Sequence, residues 1–162
     1  AMRYRRVLLD GLLPDPPLPP GYSVRHLGGE AEIEARVAVH RAAFAPSRMT
    51  VAKHRAVMAA PTYRPDLDLV VVAPGGSFAA YCIVWFDAAN RIGVFEPVGA
   101  HPDHRRRGLG KAVLAEGLRR LRALGATKAF VISEGDNPAS NALYESVGFR
   151  LVDEIHAWTK GL

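Results

Sequence analysis

The chain has 162 residues, 49% of them apolar, and a formal net charge of +5. That length suits one domain with a real hydrophobic core rather than two, and no apolar run reaches the ~20 residues that span a bilayer. A single cysteine excludes an internal disulfide, and the positive balance favours anionic partners without deciding between polymers and small molecules.

Ala1 ahead of Met2 reads as a residue added before the natural start, and the residues after Met2 lack the charged, apolar and small-residue succession of a signal peptide, so a cytoplasmic location is expected. Residues 12–20, LLPDPPLPP, are too proline-rich for a helix or central strand. Residues 1–21 are therefore expected to form an extended arm, and 22–162 the domain proper. Residues 22–27 alternate as a first strand, and residues 30–44 place Ile33, Val37 and Phe44 at helical spacing. A short helix over 51–59 ends at Pro61. Two dense β-type runs, 67–73 and 78–86, are joined by PGGS and read as a hairpin. Cys82 sits inside the second run, FAAYCIVWF, as inert packing. A run over 92–99 completes an antiparallel meander.

From Leu109 the pattern becomes helical, with Val113, Leu114, Leu118, Leu121 and Leu124 on one side and Gly125 as the stop. A strand over 127–133, a helix over 138–147 stopped by Gly148, and a strand over 149–159 follow. Strand, helix, strand implies a right-handed crossover with parallel pairing, whereas the hairpins imply antiparallel pairing. The expectation is an α/β (α+β) fold: a mixed, mostly antiparallel sheet with helices on both faces.

The stretch HPDHRRRGLGKA, residues 101–112, gathers three consecutive arginines and two glycines at the entrance of the longest helix. A helix that begins there leaves its first N–H groups unpaired, and its aligned peptide dipoles make that end partly positive. Glycines at 108 and 110 remove bulk that would hold an anion away, and Arg105, Arg106 and Arg107 add charge and paired donors. A diphosphate is the natural guest. A Walker A loop fails here, because position 105 is Arg and position 112 is Ala. The dinucleotide fingerprint fails at Val113, where glycine is required.

What fits is R-x-x-G-x-G at Arg105, Gly108 and Gly110, after a strand ending Glu96-Pro97-Val98-Gly99. With GDNPASNALYESVGF at 135–149, the chain resembles the GNAT superfamily of N-acetyltransferases, both signatures standing in order. The resemblance implies a splay between the fourth and fifth strands that holds acetyl-CoA as cosubstrate. Val98, Gly99 and Ala100 would meet the pantetheine through their backbone, and Arg105 to Lys111 (Arg105, Arg106, Arg107, Gly108, Leu109, Gly110, Lys111) the phosphates. Pro97 lacks a ladder donor, which calls for a bulge or splay at that point.

Acetyl transfer by direct attack in a ternary complex needs an amine to lose a proton, an oxyanion to be held and a thiolate to be protonated. Asn137, Asn141 and Tyr144 share one helix face. Tyr144, a phenol near its ordinary pKa, is the expected acid, and the two asparagines are expected beside the cofactor. Asn137 before Pro138 also suits helix capping. Glu96, a lone carboxylate in GVFEPV, is the expected base through a water, its pKa raised by burial, and the Val98 N–H the oxyanion donor.

His101 and His104 lie in the loop before the glycine turn without cysteines or paired carboxylates, so no metal is expected. His40 and His54 are expected as surface or groove residues. No stacking platform or recognition helix supports nucleic-acid binding. The acceptor region, FAPSRMTVAKHRAVMAAPTYRPD, offers Phe44, Arg48, Met49, Met58, Tyr63 and Arg64, which would suit an amine accompanied by a carboxylate or phosphate. The expected function is an acyltransferase acting on a primary amine of a small molecule or peptide. A silent acetyl-CoA sensor is the alternative, and relatives of this kind often pair as homodimers.

Overall fold

The computed structural model describes residues 1–158, 160 and 161. In chain order the strands are β1 (Met2–Leu8), β2 (Ser23–His26), β3 (Asp68–Val72), β4 (Phe78–Asp87), β5 (Ile92–Ala100), β6 (Lys128–Glu134) and β7 (Arg150–Ile155). The helices are α1 (Ile33–Ala43), α2 (Val51–Met58), α3 (Leu109–Ala123) and α4 (Pro138–Ser146). The strands form one sheet in the order β2-β3-β4-β5-β6-β1-β7. Only the β5–β6 pair is parallel among neighbouring strands, as its crossover through α3 requires.

β3 and β4 form the expected hairpin, closed by the Ala73 N–H to Ser77 carbonyl bond of 2.8 Å. β4 is apolar from Phe78 to Phe86, and both of its faces are covered as far as Val84. Ala80, Cys82 and Val84 join the core beneath α3, and Tyr81, on the alternate face, joins a second cluster with Val39 of α1. Helices therefore cover both faces. α3 buries Val113, Leu114, Leu118 and Leu121 completely, each worth ~1.5–3 kcal/mol relative to exposure. Thr50 caps α2 by accepting from the Lys53 N–H, and Asn137 caps α4 with Pro138 behind it.

Two features depart from the sequence expectation. Residues 2–8, assigned there to an arm, form β1, which lies between β6 and β7 and is antiparallel to both. The alternation was hidden because one inward position is Arg5, only 1% exposed, rather than an apolar residue. The inserted strand separates β6 from β7, and every strand after it is numbered one higher than the sequence alone implies. The proline segment is extended as expected, but it is packed down. Leu13 is buried and Leu18 lies against the core, while Arg119 and Arg122 of α3 donate to the carbonyls of Pro14 and Gly11. The last strand stops at Ile155, and Thr159, where it was expected to end, lies outside the described residues.

The functional geometry begins in the middle of β5. Its pairing with β6 runs from Ile92 opposite Lys128 to Phe95 opposite Val131 and then stops. On the other edge, Cys82 faces Val98 and Val84 faces Phe95, so Ile83 stands against both Glu96 and Pro97. That is a β-bulge. The Trp85 indole N–H donates to the Glu96 carbonyl at 2.8 Å, pinning the bulge in place. Pro97 thus produces both the bulge and the splay that its missing N–H demands.

Candidate active site

The splay opens a cleft of about 380 Å³. Val98, Gly99 and Ala100 wall it on the β5 side, with Asn137, Ser140, Leu143 and Tyr144 from α4 opposite and Phe44 of α1 at the rim. Arg105 and Gly110 close the end where α3 begins.

At that end Gly108 is the N-cap residue of α3 in the left-handed region, φ +74°, with no side chain over the helix terminus. The first helical bond is Ala112 N–H to the Gly108 carbonyl. The amides of Leu109, Gly110 and Lys111 thus have no acceptor among the described residues. Arg106 is left-handed as well, φ +63°, so the backbone curls into a nest of N–H groups. Donors, a positive helix end and exposed arginines fit a phosphate group by their chemistry. Gly110 serves differently from expectation: a Cβ there would come 3.1 Å from Leu143 Cδ2, so its bareness lets α4 approach α3.

The arginines divide. Arg105 lines the cleft and donates to the Ala43 carbonyl at 3.4 Å. Arg107 donates to the Tyr22 hydroxyl at 2.6 Å, and that hydroxyl also meets His104 Nδ1 at 2.8 Å. Arg106 is exposed without a partner among the described residues. Leu109 belongs to the core, 2% exposed, so only its backbone faces the turn. No group of three metal-ligating side chains is found among the described residues.

Tyr144 reaches the cleft, 7% exposed. Burial is the main cause that pushes its phenol up to about 12, rather than leaving it near the ordinary value. Asn137 lines the cleft while its side chain accepts from the Ser140 N–H at 3.1 Å, so it caps as well as lines. Asn141 is turned away. Its Oδ1 accepts from Arg5 Nη1 at 2.8 Å and Ser133 Oγ at 2.9 Å, and its Nδ2 donates to the Gly135 carbonyl at 3.3 Å. These bonds tie α4 to β1 and β6, and Asn141 does not line the cleft. The shared helix face divides in the structure: Tyr144 lines the cleft, whereas Asn141 meets Arg5, a buried partner that was not legible in the sequence.

Beyond the bulge lies a second cavity of about 270 Å³, lined by Arg36, His40, His54, Trp85, Glu96 and Pro97 among others. Glu96 is exposed there rather than buried as its apolar neighbours led one to expect. Since Val98 lines the first cleft and Glu96 and Pro97 the second, the two openings adjoin at the bulge.

Beneath this cavity is a charged cluster that sequence reading missed. Asp68 is fully buried; Arg36 Nε donates to its Oδ1 at 3.3 Å, the Tyr63 hydroxyl to its Oδ2 at 2.6 Å, and His54 Nε2 lies 3.2 Å from Oδ2, off the line of a good hydrogen bond. Burial alone would raise the Asp68 carboxyl, yet His54, Arg36 and Tyr63 outweigh it and hold it below its ordinary value. His40 is held low by burial first and then by Arg36 and His54. The only sequence signal was the i, i+4 spacing of Arg36 and His40 on α1 and an acid, Asp68, opening an apolar run.

The arginines expected near the acceptor, Arg48 and Arg64, line neither cavity. Arg64 is paired with Asp66 at 3.0 Å, and Arg48 is exposed. Met49 does line the second cavity, and Phe44 lines the first. Cys82 is fully buried, and burial pushes its thiol up, consistent with packing.

The model of the acetyltransferase (GNAT) family matches residues 34–149. A mycothiol acetyltransferase of Kineococcus radiotolerans is 35% identical over 138 residues, covering 83% of this chain but 44% of that protein. The chain thus spans about half the length of such curated relatives. Among solved structures, a GCN5-related N-acetyltransferase from Sphaerobacter thermophilus superposes with a TM-score of 0.82 at 21% identity, over 93% of this chain and 48% of the other. AAC(6')-Iy in complex with the bisubstrate analog CoA-S-monomethyl-acetylneamine superposes at 0.69 and 15% identity, over 87% and 99%. The splayed strands, the bare α3 terminus and the match across most of the chain lead to one conclusion: the chain belongs to the GNAT acetyltransferase family.

Proposed function

We propose that the chain transfers an acetyl group from acetyl-CoA to a primary amine, with both substrates bound at once. The observation that carries this reading is the adjoining pair of cavities at the β5 bulge, one ending in free helix amides and one bordered by Glu96. Direct attack needs such a neck, because amine and thioester must meet within near-contact distance. Burial of Cys82 speaks against an acyl-enzyme route through that thiol.

Acetyl-CoA supplies the activated acyl group. The amides of Leu109 to Lys111 and the Arg105 guanidinium hold its phosphates, and the backbone of Val98 to Ala100 aligns the pantetheine. Arg106, Arg107 and the Lys111 side chain add positive potential around the turn rather than direct contacts. Tyr144, still protonated across the neutral range with its phenol raised to about 12, donates to the departing thiolate. Glu96 takes the amine's proton through a water, and the Val98 N–H meets the developing oxyanion.

Thermal shift with acetyl-CoA, free CoA and an oligonucleotide tests the binding half. A thiol-release assay over an amine panel that includes amines related to mycothiol tests the transfer. Tyr144→Phe should lower kcat by about 10²-fold and leave acetyl-CoA binding near wild type. A protein stabilised by acetyl-CoA but silent with every amine would instead favour the sensor reading.

A further inference from the structure

The second cavity holds a feature that the charged cluster does not explain. Arg36 lies with its Cζ 3.8 Å from the centroid of the Tyr81 ring and gives Asp68 only its Nε proton. Its Nη1 and Nη2 are buried and have no acceptor among the described residues, and neither does the Tyr81 hydroxyl. Guanidinium donors are rarely left unmet, since a buried unpaired charged donor costs more than the ~1–3 kcal/mol of a neutral one. The side chain is 1% exposed and borders the cavity.

Charge is ordered along this space. Glu96, whose carboxylate has no partner among the described residues, stands at the neck beside Val98. The guanidinium lies on the α1 side, with the half-buried His40 imidazole near it. Trp85, Val57, Ile83 and Met49 supply an apolar wall between. A volume of about 270 Å³ falls near the lower end for ligand pockets, ~300 Å³, which suits a small acceptor.

Resting on the acetyl-transfer reading, we propose that the acceptor is a small zwitterionic amine of amino-acid type, whose carboxylate is taken by the Nη1 and Nη2 donors of Arg36 while its ammonium is presented at Glu96. A planar guanidinium with two free donors matches a carboxylate in two parallel bonds, which a lysine could not reproduce. The ammonium end is then the one nearest the thioester. There the nitrogen forms the C–N bond, the C–S bond breaks and the thiolate receives a proton; of the two protons the nitrogen loses, one replaces that proton and one leaves to solvent.

The test compares matched acceptors that differ only in the carboxylate: phenylalanine with 2-phenylethylamine, and leucine with isoamylamine. Wild type should prefer the acid-bearing member by tenfold or more in kcat/KM, mainly through KM. Arg36→Lys and Arg36→Met should lose that preference while an acetyl-CoA thermal shift shows that the fold and cofactor cleft persist. Equal rates within each pair, or a preference that survives both substitutions, would overturn the inference while leaving acetyl transfer intact. A wild type that acetylates no amine of any kind would overturn the acetyl-transfer reading and this one with it.

Discussion

The turn proposed to hold the phosphates makes its sharpest demand at Gly108, where a substitution can be sized from geometry alone. An added Cβ would meet nothing within 4 Å, so Gly108→Ala introduces no clash, and its whole effect comes from φ +74°. Holding an L-residue there costs ~1–2 kcal/mol. If the turn keeps its shape, the cost appears as lost stability. If it relaxes in the free protein, binding must restore it, and the cost appears as a 5- to 30-fold rise in the acetyl-CoA Kd, at about 1.4 kcal/mol per tenfold. The two losses, from urea unfolding and from calorimetric titration with acetyl-CoA, should therefore sum to ~1–2 kcal/mol. Gly110→Ala is the control, because its Cβ meets only the mobile end of Leu143 at 3.1 Å in a helical residue. It should cost less than ~1 kcal/mol, the helix preference for alanine offsetting the contact. A Gly108→Ala protein with wild-type stability and affinity would refute the role given to this turn.

Two predictions concern the scaffold around the cavities. Asp68→Ala leaves Arg36 without its buried partner and should destabilise by ~3–5 kcal/mol in urea titrations. In the intact protein the Asp68 carboxyl is held below its ordinary value. Its contribution is therefore complete above the unfolded value of ~3.9 and is lost as pH falls through the lower folded one; urea midpoints from pH 7 to 3 should show that loss in wild type and not in Asp68→Ala. At Gly117 an added Cβ would lie 2.5 Å from Phe95 Cε1 and 3.0 Å from Val84 Cγ2. Gly117→Ala should thus lower stability by ~1–3 kcal/mol, with an unchanged urea slope.

Sequence patterning was most informative where one physical requirement governed a segment. The apolar stripe of α3, the PGGS hairpin and the helix stop at Gly125 each follow from local spacing or backbone freedom, and each is found within a residue or two of its expected place. The donor-rich turn before α3 was legible for the same reason: glycine and arginine stand beside unpaired amides within a few consecutive residues. What stayed hidden depended on pairs distant in the chain. Arg5 reads as a surface charge until Ser133 and Asn141, more than 120 residues later, arrive to bind it. Arg36 and Asp68 are buried together because α1 packs on β4 and β5, from where the Arg36 side chain reaches the start of β3, a contact that no periodicity encodes. Glu96 erred in the opposite sense: its apolar neighbours implied burial, but the bulge turns its side chain into an open cavity.

That bulge links the two sides of the site through one covalent fact. Pro97 has no N–H, so the ladder cannot run unbroken through it. Toward β6 the consequence is the splay after Phe95, where the strand becomes a wall of the first cleft; toward β4 it is the doubled stretch opposite Ile83, beside which Glu96 lines the second cavity. Trp85 fixes the geometry by satisfying the Glu96 carbonyl. In the proposed reaction an amine enters on one side and a thioester on the other, and the same break in the sheet opens both ways. β4 backs that break, buried on both faces from Phe78 to Val84.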